Sequence, residues 1–228
     1  MKRSRVNEIL REAESFITSF GYVLPPFAYL SAQEMVEDRD AISNIVERNL
    51  GWDVTDYGKG AFDNLGLFLF TVRNGDANDL NAGRGMLYAE KIMISRKDQL
   101  SPMHRHYIKA EDIINRGGGK LVLELFAPNE EGTIDESAEV SVLCDGIERR
   151  LQAGGLLKLD PGESVTLMPG VWHAFWGEGV DVLIGEVSTV NDDLSDNWFR
   201  DDIGRFSTIE EDVEAERLLV SDYQSRLG

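Results

Sequence analysis

Apolar side chains near the start of the chain recur at three- and four-residue steps: Val6, Ile9, Leu10, Ala13, Phe16, Ile17 and Phe20. That spacing puts them on one stripe of a helix, which Gly21 can end. After Pro25-Pro26, Ser31 and Glu34 form a capping-box pattern ahead of Met35, Ile42, Ile45, Val46 and Leu50, with Gly51 as the stop. Residues 1–51 are therefore expected to form a helical extension packed on the rest of the chain. From Leu65 the pattern changes to short apolar or β-branched runs punctuated by Gly, Asn, Asp and Pro. Strands are expected over 65–73, 88–96, 121–126, 140–144, 147–151, 156–159, 164–168, 172–176 and 180–187. Asn74-Gly75 and Asp145-Gly146 supply hairpin-type turns. So many short strands imply a mainly β sandwich or barrel, and jelly-roll closure is a leading way to protect the edges. From Thr208, a cap pair with Glu211 and the apolar Val213, Leu218 and Val220 predict a C-terminal helical tail over 205–228. The aspartate-rich loop at 191–202 is suited to act as a lid. The picture is one β domain spanning residues 1–228, with 65–190 as the barrel and helices at both ends.

A length of 228 residues suffices for one substantial core. The 41 acidic against 23 basic residues give a formal charge of −18, which repels phosphate backbones and anionic lipid and argues against nucleic-acid or membrane-surface partners. Cys144 is the single cysteine, so no intrachain disulfide can form, and it reads as a small apolar strand residue. Met1-Lys2-Arg3 runs into Glu8, Arg11, Glu12 and Glu14 rather than the apolar segment of a signal peptide. No stretch approaches the roughly 18 apolar residues of a membrane span. A cytoplasmic protein is expected.

The chain has three histidines, two of them one residue apart in Ser101-Pro102-Met103-His104-Arg105-His106. On a strand that spacing sets both imidazoles on one face. Glu111 follows, Asn115-Arg116-Gly117 is expected to turn the chain, and His173 comes after Pro169-Gly170-Val171-Trp172. A lone histidine is more often a plain side chain than a ligand. Here all the histidine falls on two segments that border predicted strands, with a carboxylate beside the first pair. Three nitrogens and one carboxylate suit a divalent transition metal such as manganese, iron, cobalt, nickel or zinc, with open positions for substrate oxygens.

These motifs resemble the cupin superfamily. His104, His106, Glu111 and Gly117 match its first motif, and Gly162, Pro169, Gly170 and His173 match the second. The asparagine usual after that last histidine is missing, since Ala174, Phe175 and Trp176 stand there. The N-terminal helices, the Ser101 to His106 string and Gly117-Gly118-Gly119 are similar, over nearly the whole length, to bacterial D-lyxose isomerases. The resemblance implies a jelly-roll fold, a divalent metal with Mn2+ foremost, and interconversion of D-lyxose with D-xylulose, with D-mannose and D-fructose as a further pair. It also implies a homodimer, for which the apolar segments before Gly51 offer a contact.

Aldose–ketose isomerisation moves a proton between adjacent carbons through a cis-enediol, which requires a carboxylate with a pKa near neutrality. Glu186 is the first candidate, because it interrupts the apolar run Val182-Leu183-Ile184-Gly185 and is otherwise an expensive buried charge. Glu111 is the alternative, doubling as ligand and base. Lys109 and Lys91 can bind a sugar hydroxyl or assist ring opening, or simply face solvent. Phe175 shares parity with His173 and reads as a pocket wall or as plain core. Glu124, Asp192, Asp193 and Arg200 are weaker candidates. Without an Arg- or Lys-rich cradle beside the histidines, a free sugar is favoured over a sugar phosphate. Two other functions fit the same motifs: an iron-dependent cupin dioxygenase, and a non-catalytic sugar- or metal-sensing module.

Overall fold

Helix α1 spans Arg3–Ser19 and buries the expected stripe of Val6, Ile9, Leu10, Ala13 and Ile17. In this computed structural model, which describes residues 1–227, Gly21 ends the helix at a φ of +73°. The stripe packs on Trp52, Phe68, Phe70, Ile92, Ile94 and Leu183 of the chain's own sheet. These five positions are thus covered by the chain's own sheet, while Phe16 at the far end of the expected stripe is partly buried and Phe20 is exposed.

The second helical segment is broken. Ser31 and Glu34 make the reciprocal capping box that opens α2 (Ala32–Glu37), but the helix stops at Asp38 and resumes only as α3 (Ser43–Glu47). Residues 37–40 are all charged, so no apolar side chain holds a middle turn against the body. Gly51 does not end a helix; it opens the buried strand β1 (Gly51–Thr55). Strands β2 (Leu67–Asn74) and β3 (Tyr88–Ser95) fall where expected, but Asn74-Gly75 is not a hairpin. Helix α4 (Ala77–Ala82) intervenes, capped by the Asp76 carboxylate, and the Asn74 amide instead donates to the Arg48 and Asn191 carbonyls.

The remaining strands are β4 (Ser101–Arg105), β5 (Glu111–Pro128), β6 (Ile134–Asp135), β7 (Val140–Cys144), β8 (Ile147–Leu151), β9 (Gly155–Leu159), β10 (Ser164–Leu167), β11 (Trp172–Thr189) and β12 (Trp198–Phe199). Asp145-Gly146 makes the expected β7–β8 turn, with φ of +49° and +82°. The main path runs β1-β2-β3-β11-β5-β10-β7-β8, and every strand pair is antiparallel.

Two 18-residue strands, β5 and β11, organise the barrel. The first half of β11 pairs with β4 and the second with β3, while β5 follows it throughout. Both strands bend midway, where the register slips between Glu178 and Val182 opposite Gly118. The expected turn at 115–117 is this bend. The Asn115 side chain holds it, donating to the Gly119 and Leu159 carbonyls and accepting the Gly117 N–H. Gly118 has a φ of +98°, and a Cβ there would sit 2.1 Å from the Asp181 carbonyl oxygen. Gly118→Ala is therefore expected to destabilise by at least the ~1–3 kcal/mol of backbone strain, read as a lower urea midpoint; an unchanged midpoint would refute the crossing geometry.

Alternation sorts β2 and β3 onto two cores. Leu67, Leu69 and Met93 face the barrel interior with Leu121, Leu123, Leu125 and Ile184, whereas Phe68, Phe70, Ile92 and Ile94 face α1. Lys91 and Glu186 share the interior parity. The C-terminal helix is shorter than the pattern from Thr208 predicts. Among its described residues only a 3-10 turn at Val220–Asp222 and α5 (Tyr223–Arg226) are helical. Glu211 does not pair with Thr208 as a cap; it binds Arg3, and the segment runs along the body through single bridges to Lys2 and Trp52. Among the described residues no helix is long and apolar enough to cross a membrane.

Candidate active site

The three histidines meet at the interior end of β4 and β11. His104 stands directly opposite His173 in the β4–β11 register, their ring centroids 4.1 Å apart. His106 lies just past the end of β4, 5.2 Å from His104 and 5.7 Å from His173 between centroids. Between them Arg105 points the other way, its guanidinium among the rings of Tyr107, Trp172 and Trp198. The Gly170 N–H donates to the His106 carbonyl at 2.9 Å, so the Pro169-Gly170 turn ties the two histidine segments together.

Each Nδ1 faces a backbone carbonyl: Pro102 for His104, Asp196 for His106 and Val171 for His173, at 2.9, 2.8 and 3.1 Å. A carbonyl only accepts, so each Nδ1 carries the proton and each Nε2 presents a lone pair. Burial, reinforced by neighbouring rings and Lys109, pushes the pKa of His104 and His106 down and keeps both neutral. Glu111 Oε1 lies 3.1 Å from His173 Nε2 and 3.5 Å from His106 Nε2. Glu111 Oε1 and His106 Nε2 are buried without a hydrogen-bond partner. Lone pairs converging without a proton between them are what a cation satisfies, and the three histidines can hold a metal ion, with donor atoms within 4.8 Å of one another.

From Glu111 a wall of alternating charge runs along the cavity. Lys109 Nζ lies 2.6 Å from Glu111 Oε2 and 3.1 Å from Glu186 Oε1. Lys91 Nζ lies 3.4 Å from the same Glu186 oxygen and 3.9 Å from Asp193. Arg205 closes the series, 3.2 Å from Asp193 and 2.8 Å from Asp53. Register places Glu186 opposite Lys91 across β11 and β3. Burial alone would raise the Glu186 pKa, but Lys109 and Lys91 overcome it and hold the carboxyl below its ordinary value. The near-neutral pKa expected of this group is thus not found: the two ammonium groups set the balance. Burial likewise opposes the charge on Lys109, yet Glu111 and Glu186 raise its pKa.

The cavity lined by these groups is narrow, with a volume of about 40 Å³. Lys91, Lys109, Glu111, Glu186, Phe175 and the three histidines all line it, and both lysines are buried rather than solvent-facing. Phe175 is at once cavity wall and core. Of the weaker candidates only Asp193 lines the cavity; Arg200 is exposed and pairs with Asp201. Glu124 lies on β5 with the parity opposite to the buried Leu123 and Leu125, and the Asp192 carboxylate caps Leu194 and Ser195 within its own loop. Asp53, Tyr57, Ser101, Asn197, Phe199 and Arg205 escaped the sequence reading. Asp53 carries a signal like that of Glu186, a charge inside an otherwise apolar strand. Tyr57 adopts φ +53°, uncommon for a bulky residue, with its hydroxyl 3.0 Å from Ser101 Oγ. Burial pushes that phenol up to about 12.

A sequence profile of the D-lyxose isomerase family matches residues 1–223. A D-lyxose/D-mannose isomerase of Serratia proteamaculans is 46% identical over 226 residues, covering 98% of each chain. One of Escherichia coli O157:H7 is 45% identical over 228 residues, covering 98% of this chain and 99% of its own. The chain belongs to the D-lyxose isomerase family. Membership makes it an aldose–ketose sugar isomerase and decides against the dioxygenase and sensor readings. The fold of this D-lyxose isomerase family member is also that of the L-ribose isomerase of Acinetobacter sp. DL28, solved with L-ribose, at a TM-score of 0.61 and 16% identity over 92% of this chain and 98% of the other. The L-ribose isomerase of Geodermatophilus obscurus is similar, with a TM-score of 0.59 and 19% identity over the same shares.

Proposed function

We propose that the cavity interconverts D-lyxose and D-xylulose, and D-mannose and D-fructose, with His104, His106, His173 and Glu111 holding a divalent metal, manganese foremost, and with Glu186 as the base. The observation that carries this reading is the junction of an ion-ready donor set with a carboxylate held ionised between two lysines. The relatives' names supply the sugars. Held by these residues, a divalent ion would supply Lewis-acid stabilisation for the charge that develops on the two sugar oxygens.

Glu186 takes the proton from C2 of the open-chain aldose while the aldehyde oxygen gains a proton from the Lys109 ammonium, giving the cis-enediol. The protonated Glu186 then returns its proton to C1, and the C2 hydroxyl loses its own to Lys109, leaving the ketose. Lys91 fixes the rotamer of Glu186 and offers further N–H donors to a sugar hydroxyl, and Phe175 walls the cavity beside His173. Arg205 Nη1, buried without a partner, is suited to a hydroxyl at the far end of the sugar. The same reading has the enzyme working as one folded unit in the cytoplasm, as the sequence pattern predicts, and as the homodimer that the family resemblance implies.

The test is to strip the protein with chelator, add Mn2+, Co2+, Ni2+, Zn2+ or Fe2+ singly, and follow D-xylulose formation from D-lyxose. Metal-dependent ketose formation that His104→Ala abolishes is the expected result. Full activity in the stripped protein would remove the metal from the reading, and no turnover with any ion would remove D-lyxose.

A further inference from the structure

Residues 106–110 link β4 to β5 and carry several of the cavity's polar groups, with His106 at one end, Lys109 near the other and Glu111 just beyond. Along this link the N–H groups of Tyr107, Ile108 and Lys109 converge on one spot. Three convergent backbone donors form a concavity that calls for an anion, and the Asp196 carboxylate occupies it. Its Oδ1 accepts from Tyr107 and Ile108 at 2.8 and 2.9 Å, and its Oδ2 from Lys109 at 2.9 Å. The same residue's carbonyl accepts the His106 Nδ1–H at 2.8 Å. Four hydrogen bonds thus join one buried residue to a link some 87 to 90 positions earlier in the chain.

We propose that Asp196 is a positioning residue that sets the tautomer and direction of His106 and the backbone of Lys109, and thereby couples the metal site to the 191–197 loop. The proposal rests on the metal-site reading above. The loop so anchored is more than a cover, because Asp193 and Asn197 within it line the cavity, and Asp193 meets Lys91 and Arg205. Asp196 is therefore the joint between the ion's end of the cavity and its opposite wall. The lid expected over 191–202 is held at its centre by the metal site's own scaffold.

Alanine at 196 removes the three carboxylate bonds but leaves the carbonyl, now on an untethered loop. Asparagine offers one oxygen to donors that need two, and its amide N–H2 faces a backbone N–H. The measurement is Co2+ affinity of the whole chain, titrated by visible absorption against a competing chelator, together with amide hydrogen exchange. Asp196→Ala is expected to weaken Co2+ binding roughly 10–100-fold, the range for residues that orient a metal-ligating histidine, and Asp196→Asn by less. In the wild type, Co2+ slows exchange at 107–109 and at 191–197 together, and in Asp196→Ala the two segments respond separately. Wild-type affinity in a folded Asp196→Ala would overturn this proposal alone, since a merely structural role lowers stability without moving the affinity. Failure of the wild type to bind Co2+ would overturn the metal-site reading and this one together. If Asp196→Ala does not fold, Asp196→Asn, which keeps size and carbonyl, carries the same comparison.

Discussion

Glu186→Gln is expected to lower turnover of D-lyxose roughly 10²–10⁴-fold, the span attributed to a positioned general base, with metal content and fold retained. The glutamine amide keeps the volume of the side chain and an acceptor oxygen for Lys109 and Lys91, which lie 3.1 and 3.4 Å from Glu186 Oε1. What it lacks is the capacity to take a proton from carbon. In heavy water the wild type is expected to place deuterium at C1 of the ketose, because a carboxylate-borne proton can exchange before it returns. Glu186→Gln should lose that label with the turnover. Turnover near wild type in the variant would pass the role to Glu111, and a ketose without deuterium would point to hydride transfer.

The largest effect on stability is expected at Arg3. This guanidinium is 0% exposed and binds Asp222 in bidentate fashion, at 2.8 and 3.0 Å, and Glu211 at 2.7 and 2.9 Å. Asp222 is itself buried and accepts the Leu219 N–H as well. Arg3→Met keeps much of the packing but strands the Asp222 carboxylate away from water. Removing one partner of a buried pair costs about 3–5 kcal/mol, a large share of a total near 5–15 kcal/mol. Urea unfolding should show that loss, and Arg3→Met/Asp222→Asn should recover a good part of it. A single variant as stable as wild type would mean that the tail contributes little to the fold.

Which residues come together in the cavity was more legible in the sequence than the packing was. His104, His106, Glu111 and His173 could be picked out because three histidines on two strand ends are rare enough to mean something. Glu186 could be picked out because a charge in an apolar run needs a partner. Those partners, Lys109 and Lys91, were named, but their burial was not visible, since lysines look alike in a sequence whether they face water or a carboxylate. The near-neutral pKa expected for Glu186 failed for the same reason. Asp53 and Arg205 lie 152 positions apart, and no local pattern joins them; Asp53 was further hidden because Gly51 read as a helix stop rather than a strand start. Strands β7 and β8 were located to the residue, for their turn is encoded locally in Asp145-Gly146. The two long strands were each cut short or divided at glycines, since a glycine that lets strands cross closely reads like one that lets a chain turn. The tail from Thr208 carried helical spacing, but the ion pairs to Arg3 and the backbone bridges to Lys2 and Trp52 won over weak local propensity.

The placement of β11 bears on how the molecule comes into being. β3, β4 and β5 all pair with this strand, so a nascent chain ending before Trp172 has three strands that lack their neighbour. In that state His104, His106 and Glu111 are present without His173, and Lys91 and Lys109 lack Glu186. Contacts between segments this far apart in sequence are slow to close, because the loop entropy is lost before the pairing rewards it. The histidine cluster and the Glu186 pairing with the two lysines are therefore complete only once that one strand has docked. Before that event open strand edges invite pairing with other chains, so the yield of soluble enzyme should depend on how fast β11 closes the barrel.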